Sequence, residues 1–205
     1  MGESILLSVL LFGKNCAGIF TRPYATYRGV VDRANLGELG VIGLILWGYF
    51  VIASMVKTSL FRPYLLTRQF IVLAVAATFT YLLTVGLFWV AGRLFGSKGS
   101  LRGFAVGWGY TMIPTVIWFF MTSLLYVLIP PPRTVSAQGI AFSVLYLLIS
   151  TTLLFWKVTL SYLSLRFGLK LDLGKILKIC IVVLPLLGLY SIGMYKLGIF
   201  RIPFI

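Results

Sequence analysis

The chain has 205 residues, of which 60% are hydrophobic and 11% are charged, whereas about 25% of residues are charged in an average soluble domain. This composition excludes a soluble globular fold, because no single core of this length could enclose so much apolar surface. The formal net charge of +14 does not indicate nucleic-acid binding, since the basic residues flank apolar segments, as they do beside membrane spans.

Residues that carry acid, base or metal chemistry are scarce. The chain contains no histidine, and its four acidic residues are Glu3, Asp32, Glu38 and Asp172. None of them lies near the middle of a predicted span, where proton relays and ion-coupled transport place ionisable groups. We therefore expect no enzyme activity, no catalytic or metal-ligating residue and no cofactor. The two cysteines, Cys16 and Cys180, are interpreted as small hydrophobic side chains.

Residues 1–36 are predicted to form an N-terminal segment on the membrane surface. The run from Ser4 to Phe20 is expected to be an interfacial helix, with Lys14 facing the head groups. Pro23 then starts a second amphipathic helix over residues 23–34, because proline is tolerated in the first helical turn. Arg28 and Asp32, four residues apart, are expected to pair weakly on its polar side.

Residues 37–205 are predicted to form an all-α membrane domain with five transmembrane helices. A bilayer core of about 30 Å needs roughly 20 apolar helical residues. The stretches that meet or nearly meet this length are 37–56, 70–91, 104–129, 139–156 and 176–195. Pro114 and Pro185 are expected to kink the third and fifth spans, and residues 157–175 are expected to form a long basic connection.

Basic residues are distributed unevenly between the two sides of the predicted spans. With alternate connections assigned to opposite sides, 12 lie on the side of the N terminus and 6 on the other. Because Lys and Arg favour the cytoplasmic side, we predict a cytoplasmic N terminus and a C terminus outside.

The connection before the third span is a candidate lipid site. Arg93, Lys98 and Arg102 could hold a lipid phosphate, with Gly96 and Gly99 allowing backbone donors to approach the same anion. The alternative is that these cations only orient the spans, as short loops of this kind commonly do.

The third span opens with a narrow face that could pack against another helix. Gly103, Gly107 and Tyr110, followed by Pro114, place small residues four apart with an aromatic residue one turn further. This face could contact a partner protein or a second copy of the chain. The alternative is packing among the five spans themselves.

Hydroxyl side chains in the second and fourth spans support a further hypothesis. They could line a furrow for lipid head groups, which would favour translocation of a lipid or small solute; they are Thr78, Thr80, Thr84, Ser150, Thr151 and Thr152. More commonly, such residues bond to their own helix or a neighbour.

Two motifs and the five predicted spans together carry a family resemblance. The motifs are GIFTRPYATYR at residues 18–28, before the first span, and FGSKGS at 95–100 with GYTMIP at 109–114, entering the third. In these features the chain resembles the Yip1-domain family, specifically its compact bacterial and archaeal members, which carry an "ltrP" segment before the first span and a "GGKGSF…GY…P" stretch entering the third.

The resemblance implies a polytopic protein that organises or assists other membrane components, such as an exporter, without a catalytic role. Eukaryotic relatives carry a long cytoplasmic N-terminal region with a "DLYGP" motif, which this chain lacks. We therefore expect a prokaryotic plasma membrane rather than vesicle-trafficking and Rab GTPase partners. The expected partners are anionic lipid head groups and a membrane protein or a second copy of the chain.

Overall fold

The computed structural model describes residues 2–57, 63–128 and 136–199, and within these ranges it contains helices and no strand. The helices are α1 (Gly2–Thr21), α2 (Pro23–Arg33), α3 (Leu36–Lys57), α4 (Pro63–Leu94), α5 (Leu101–Tyr110), α6 (Met112–Leu128), α7 (Ala137–Gly168) and α8 (Leu173–Lys196). The all-α prediction is confirmed.

Five apolar segments are long enough to cross a membrane, which confirms the number of predicted spans. They are Leu36–Ser54, Thr67–Leu94, Leu101–Leu125, Ala137–Gly168 and Leu173–Lys196. The third segment combines α5 and α6. The predicted end of the third span at residue 129 lies outside the described residues, as do residues 200–205.

The fourth span is longer than predicted. Its expected end at Trp156 is wrong, because α7 continues to Gly168. Lys157, interpreted as the start of a basic connection, lies within the helix and donates a hydrogen bond from Nζ to Thr115 Oγ1 of α6 at 3.0 Å. The helix therefore accommodates this charge next to a polar partner, and the connection to α8 shrinks to residues 169–172.

The third span is interrupted three residues before Pro114. The chain breaks at Thr111, between α5 and α6, and the Thr111 amide and hydroxyl both donate to the Trp108 carbonyl. Pro114 has no amide hydrogen to bond to the Tyr110 carbonyl, and its ring crowds that carbonyl. The expected kink of the third span is therefore present as a break one turn before the proline. Pro185 lies inside α8, which continues through it.

Helix α5 is the centre of the bundle. In the membrane-spanning segment that contains α5, 56% of the most hydrophobic 18-residue stretch is buried, compared with 33% or less in each of the other four segments. One core cluster joins α5 to α4, α7 and α8 around Phe88, Phe104 and Ile179. A second cluster joins α5 to α1, α2 and α7 around Tyr27 and Leu160.

The two N-terminal helices are present and pack against the bundle. Helix α1 turns Ser8 and Asn15 toward the protein, where they are 5% and 4% exposed. Its outward face carries exposed aliphatic residues such as Leu6 and Leu10, which suit contact with lipid. Helix α2 lies against α5 and α7, and so covers the end of the bundle where α4 meets α5 and α7 meets α8.

Candidate functional site

The loop between α4 and α5 is held rigidly by the surrounding helices. Gly96 has a φ of +80° and ends α4, with the Ser97 amide donating to the Gly92 carbonyl at 2.8 Å and the Gly96 amide donating to the Arg93 carbonyl at 3.1 Å. This is the pattern of a helix end that needs glycine. The Ser97 hydroxyl donates to the Leu169 carbonyl at 2.6 Å, which fixes the loop to the connection between α7 and α8.

Close backbone contact and a helix cap complete this loop. A methyl group on Gly99 would collide with the carbonyl oxygen of Gly168, so the two backbones touch. The Ser100 hydroxyl accepts a hydrogen bond from the Gly103 amide at 3.0 Å, which caps α5. The glycines and serines of this motif therefore build the joint between α4, α5 and α7.

The three cations predicted to meet a lipid phosphate are all exposed at this joint. Arg93 lies 4.3 Å from the centre of the Trp89 ring and donates to the Ser97 carbonyl at 3.3 Å. Lys98 lies in the loop and Arg102 in the first turn of α5. They flank one rigid loop, and their contact with a lipid phosphate stays a prediction.

The small-residue face of α5 is filled from within the chain. A methyl group on Gly103 would come within 2.6 Å of the Val31 carbonyl oxygen of α2. One on Gly107 would lie 3.1 Å from a Val31 methyl group and 3.2 Å from Ser164 Oγ of α7. These contacts correspond to the internal-packing alternative. Pro114 is also buried.

Tyr110 belongs to a buried polar cluster that the sequence did not indicate. Its ring is fully buried, and its hydroxyl donates to Oε2 of Glu38, which is 0% exposed. Asn15 Nδ2 donates to the same carboxyl oxygen at 2.7 Å and to the Tyr110 hydroxyl at 3.1 Å. Arg33 Nη2 donates to Asn15 Oδ1 at 2.8 Å, so the cluster joins α1, α2, α3 and α5.

Glu38 lies outside the middle of its span, as the sequence indicates, but the fold nevertheless buries it completely. The residue lies only two positions into α3, where sequence suggests a solvated helix start, but α1 covers that position. Its second oxygen, Oε1, has no hydrogen-bond partner among the described residues. The sequence of α1 does indicate a face that packs against protein, because Ser8, Asn15 and Ile19 recur at helical spacing on one side of the helix.

The buried cluster also affects the neighbouring thiol. Burial, with a smaller contribution from Glu38, raises the pKa of Cys16 to about 11. The Cys16 thiol therefore stays protonated at neutral pH and is a poor nucleophile. Among the described residues, no three His, Cys, Asp or Glu side chains are grouped closely enough to hold a metal ion.

The hydroxyl residues considered for a lipid furrow mostly bond within the protein. Thr78, Thr80 and Thr84 each donate to the carbonyl four residues earlier, at 2.7 to 2.8 Å. Ser150 accepts a hydrogen bond from Trp118 Nε1 at 2.8 Å. Thr151 and Thr152 are exposed on α7.

Comparison with known proteins identifies a family. A family model for the Yip1 domain matches residues 17–195, which include the loop of residues 95–100, the glycines of α5, and both Glu38 and Tyr110. Neither a curated protein nor a solved structure matches the chain. Because the matched region covers most of the sequence, and the chain contains five apolar segments long enough to cross a membrane, the chain is an integral membrane protein that belongs to the Yip1 domain family.

Proposed function

We propose that this protein organises or assists other membrane components and has no catalytic role of its own. The observation that supports the proposal is the exposure of Arg93, Lys98 and Arg102 around a loop that the fold holds rigid. A fixed set of exposed cations can hold anionic head groups or the acidic surface of a partner without paying for loop ordering. An exporter is one assembly that such a protein could serve.

The proposed setting is a prokaryotic plasma membrane with the N terminus in the cytoplasm. With Lys157 inside α7, the basic residues number 11 on the N-terminal side and 6 on the other. The exposed loop cations then face the cytoplasmic leaflet, where anionic lipids attract Lys and Arg. The partners proposed are these lipids and a membrane protein or a second copy of the chain.

The test is purification from native membranes in a mild detergent, with the wild-type chain and a Lys98→Gln/Arg102→Gln variant. We expect a stoichiometric partner with the wild type and a reduced yield of partner with the variant. The matched control is Arg68→Gln/Lys196→Gln, because these exposed cations lie near the first turn of α4 and at the end of α8, at the other end of the bundle. If the wild-type chain purifies from its native membrane with no protein bound to it, the proposal is contradicted.

A second test uses lipid vesicles. Binding of the purified protein to vesicles with anionic lipid should weaken in Lys98→Gln/Arg102→Gln and not in Arg68→Gln/Lys196→Gln. Equal binding by both variants would mean that the loop cations only orient the spans.

Translocation of a lipid or small solute is the second candidate function. It is favoured by the buried Glu38 and the partly buried Lys157, because ionisable groups between membrane helices are commonly functional. The internal hydrogen bonds of Thr78, Thr80 and Thr84 weigh against a hydroxyl-lined path. Proteoliposomes with fluorescent lipid test it: transport that disappears in Glu38→Gln or Lys157→Met would favour translocation over the organising role.

A further inference from the structure

An open cavity of about 330 Å³ lies between α2 and the connection from α7 to α8. Helix α2 contributes Tyr24, Arg28 and Asp32, which are four residues apart and therefore form one stripe along the helix. The opposite wall includes Arg166 at the end of α7, and Lys170 and Asp172 in the connection. Arg93, Lys98 and Arg102 do not line this cavity, although their loop contacts the same connection through Ser97 and Leu169.

The cavity contains charges of both signs that do not neutralise one another. Within the described part of the chain, no Lys or Arg nitrogen of this group lies within ion-pairing distance of Asp32 or Asp172, and the expected pair between Arg28 and Asp32 does not form. The Arg166 guanidinium donates to the Tyr162 hydroxyl at 2.8 Å and also interacts with the Tyr24 hydroxyl, and its remaining N–H groups can serve a ligand. Three cations and two carboxylates are thus available to a ligand.

Two details of the connection keep these charges available. Asp172 is the N-cap residue of α8, but its side chain makes no capping hydrogen bond, although aspartate commonly caps helices in this way. Lys170 has a φ of +53°, a backbone conformation that residues other than glycine rarely adopt. Its neighbours Leu169 and Leu171 are buried in the core, which holds the connection in this form.

The cavity lies at the end of α7, one of the five membrane-spanning segments. Tyr24 and Phe167 line it and pack edge to face with ring centres 4.7 Å apart. Tyr24 is exposed, and α7 ends one residue after Phe167. Aromatic residues at the ends of membrane spans occupy the interface between acyl chains and water.

We propose that this cavity binds a phosphate ester that carries a primary ammonium group, the chemistry of the phosphoethanolamine head group. Arg28, Lys170 and Arg166 hold the phosphate oxygens, and Asp32 and Asp172 accept hydrogen bonds from the ammonium group. A purely anionic head group would leave the two carboxylates opposing it. A choline head group has no N–H to offer them.

The test measures lipid binding by native mass spectrometry. The purified, delipidated chain is titrated with phosphatidylethanolamine, phosphatidylcholine and phosphatidylglycerol of identical acyl composition. We expect phosphatidylethanolamine to bind about tenfold more tightly than either of the others, as one or two charge-assisted hydrogen bonds provide. Equal affinity for the three lipids would overturn the proposal.

Variants distinguish the site from general attraction to the membrane. Asp32→Asn/Asp172→Asn should remove the preference for phosphatidylethanolamine while binding of phosphatidylglycerol stays the same or rises, because two negative charges are gone. Lys98→Gln/Arg102→Gln, outside the cavity, should leave the preference unchanged. If the double variant does not fold, Asp172→Asn alone is used, since its carboxylate makes no structural bond; a preference that survives it would contradict the proposal.

A final experiment distinguishes a membrane lipid from a soluble phosphate ester as the ligand. Soluble phosphoethanolamine is added to the complex with phosphatidylethanolamine. Displacement of the lipid supports recognition of the head group alone, so that the site would also take the free ester. Retention of the lipid, with the aspartate dependence intact, supports the membrane lipid as the ligand.

Discussion

The buried cluster around Glu38 predicts a specific order of stabilities. In Glu38→Ala, the Tyr110 hydroxyl loses its acceptor, and the Asn15 amide loses the nearer of its two acceptors. Each buried group left unsatisfied costs about 1–3 kcal/mol, so with the cavity added we expect a loss of about 3–5 kcal/mol. Glu38→Gln keeps the acceptor oxygen and places its new amide where Oε1 has no partner. We expect it to cost about 1 kcal/mol or less.

Tyr110→Phe should fall between these two variants. It removes one hydroxyl, while the bond from Asn15 to the carboxyl group remains at 2.7 Å. Hydrogen bonds between membrane helices contribute about 0.6–2 kcal/mol, so a loss of about 1–2 kcal/mol is expected. The matched control is Tyr195→Phe, whose hydroxyl belongs to a side chain that is 65% exposed and which should leave stability unchanged.

The free energy of unfolding is measured by titration with SDS in mixed micelles, followed by tryptophan fluorescence. The order of loss should be Glu38→Ala, then Tyr110→Phe, then Glu38→Gln. If Glu38→Gln costs as much as Glu38→Ala, the position requires a negative charge rather than an acceptor, and the reasoning is refuted. A double-mutant cycle between Glu38 and Tyr110 should give a coupling of about 1 kcal/mol.

Three further measurements test the fold. Gly99→Ala should lower the free energy of unfolding by about 1–3 kcal/mol in the same SDS titration, because its methyl group meets the backbone of Gly168. The control Gly48→Ala, where the added methyl contacts nothing within 4 Å, should be neutral or stabilising. Equal effects of the two variants would contradict the close backbone contact between the loop and α7. The raised pKa keeps the Cys16 thiol protonated, so its alkylation at pH 8, followed by peptide mass spectrometry, should be about 100-fold slower than in the SDS-unfolded chain. The alkylation rate should increase as the pH is raised toward about 11. A fast reaction at pH 8 would mean that the thiol is not buried. Lys157→Met should be neutral or stabilising by about 1 kcal/mol, because an apolar side chain avoids the cost of holding a partly buried charge away from water. A large loss would show that its hydrogen bond to Thr115 stabilises the bundle.

The number and order of the spans could be read from the sequence because both follow from local composition. Apolar stretches long enough to cross a bilayer are visible residue by residue, as are the turn residues at 96–100. The end of α7 could not be read in this way. A lysine at 157 is expensive inside a membrane, and only the fold shows that Thr115, 42 residues away, provides a partner.

The candidate site was predictable only in its exposed part. Arg93, Lys98 and Arg102 lie within one short stretch, residues 93–102, so their common location needed no tertiary information. Glu38 and Tyr110 are 72 residues apart, and nothing local relates a carboxyl group at the start of one span to a hydroxyl inside another. The same reason explains why the cavity between α2 and the connection at 169–172 was not predicted.

The inward polar face of α1 has a consequence for how the protein is made. Of the helices described, α1 leaves the ribosome first, but its Asn15 bonds to a hydroxyl 95 residues further along the chain. Its bonds to Arg33 and Glu38 can form once α2 and the first span are made, but the Tyr110 hydroxyl arrives only with the third span. The carboxyl group of Glu38 therefore has its full set of donors only after three of the five spans have been inserted.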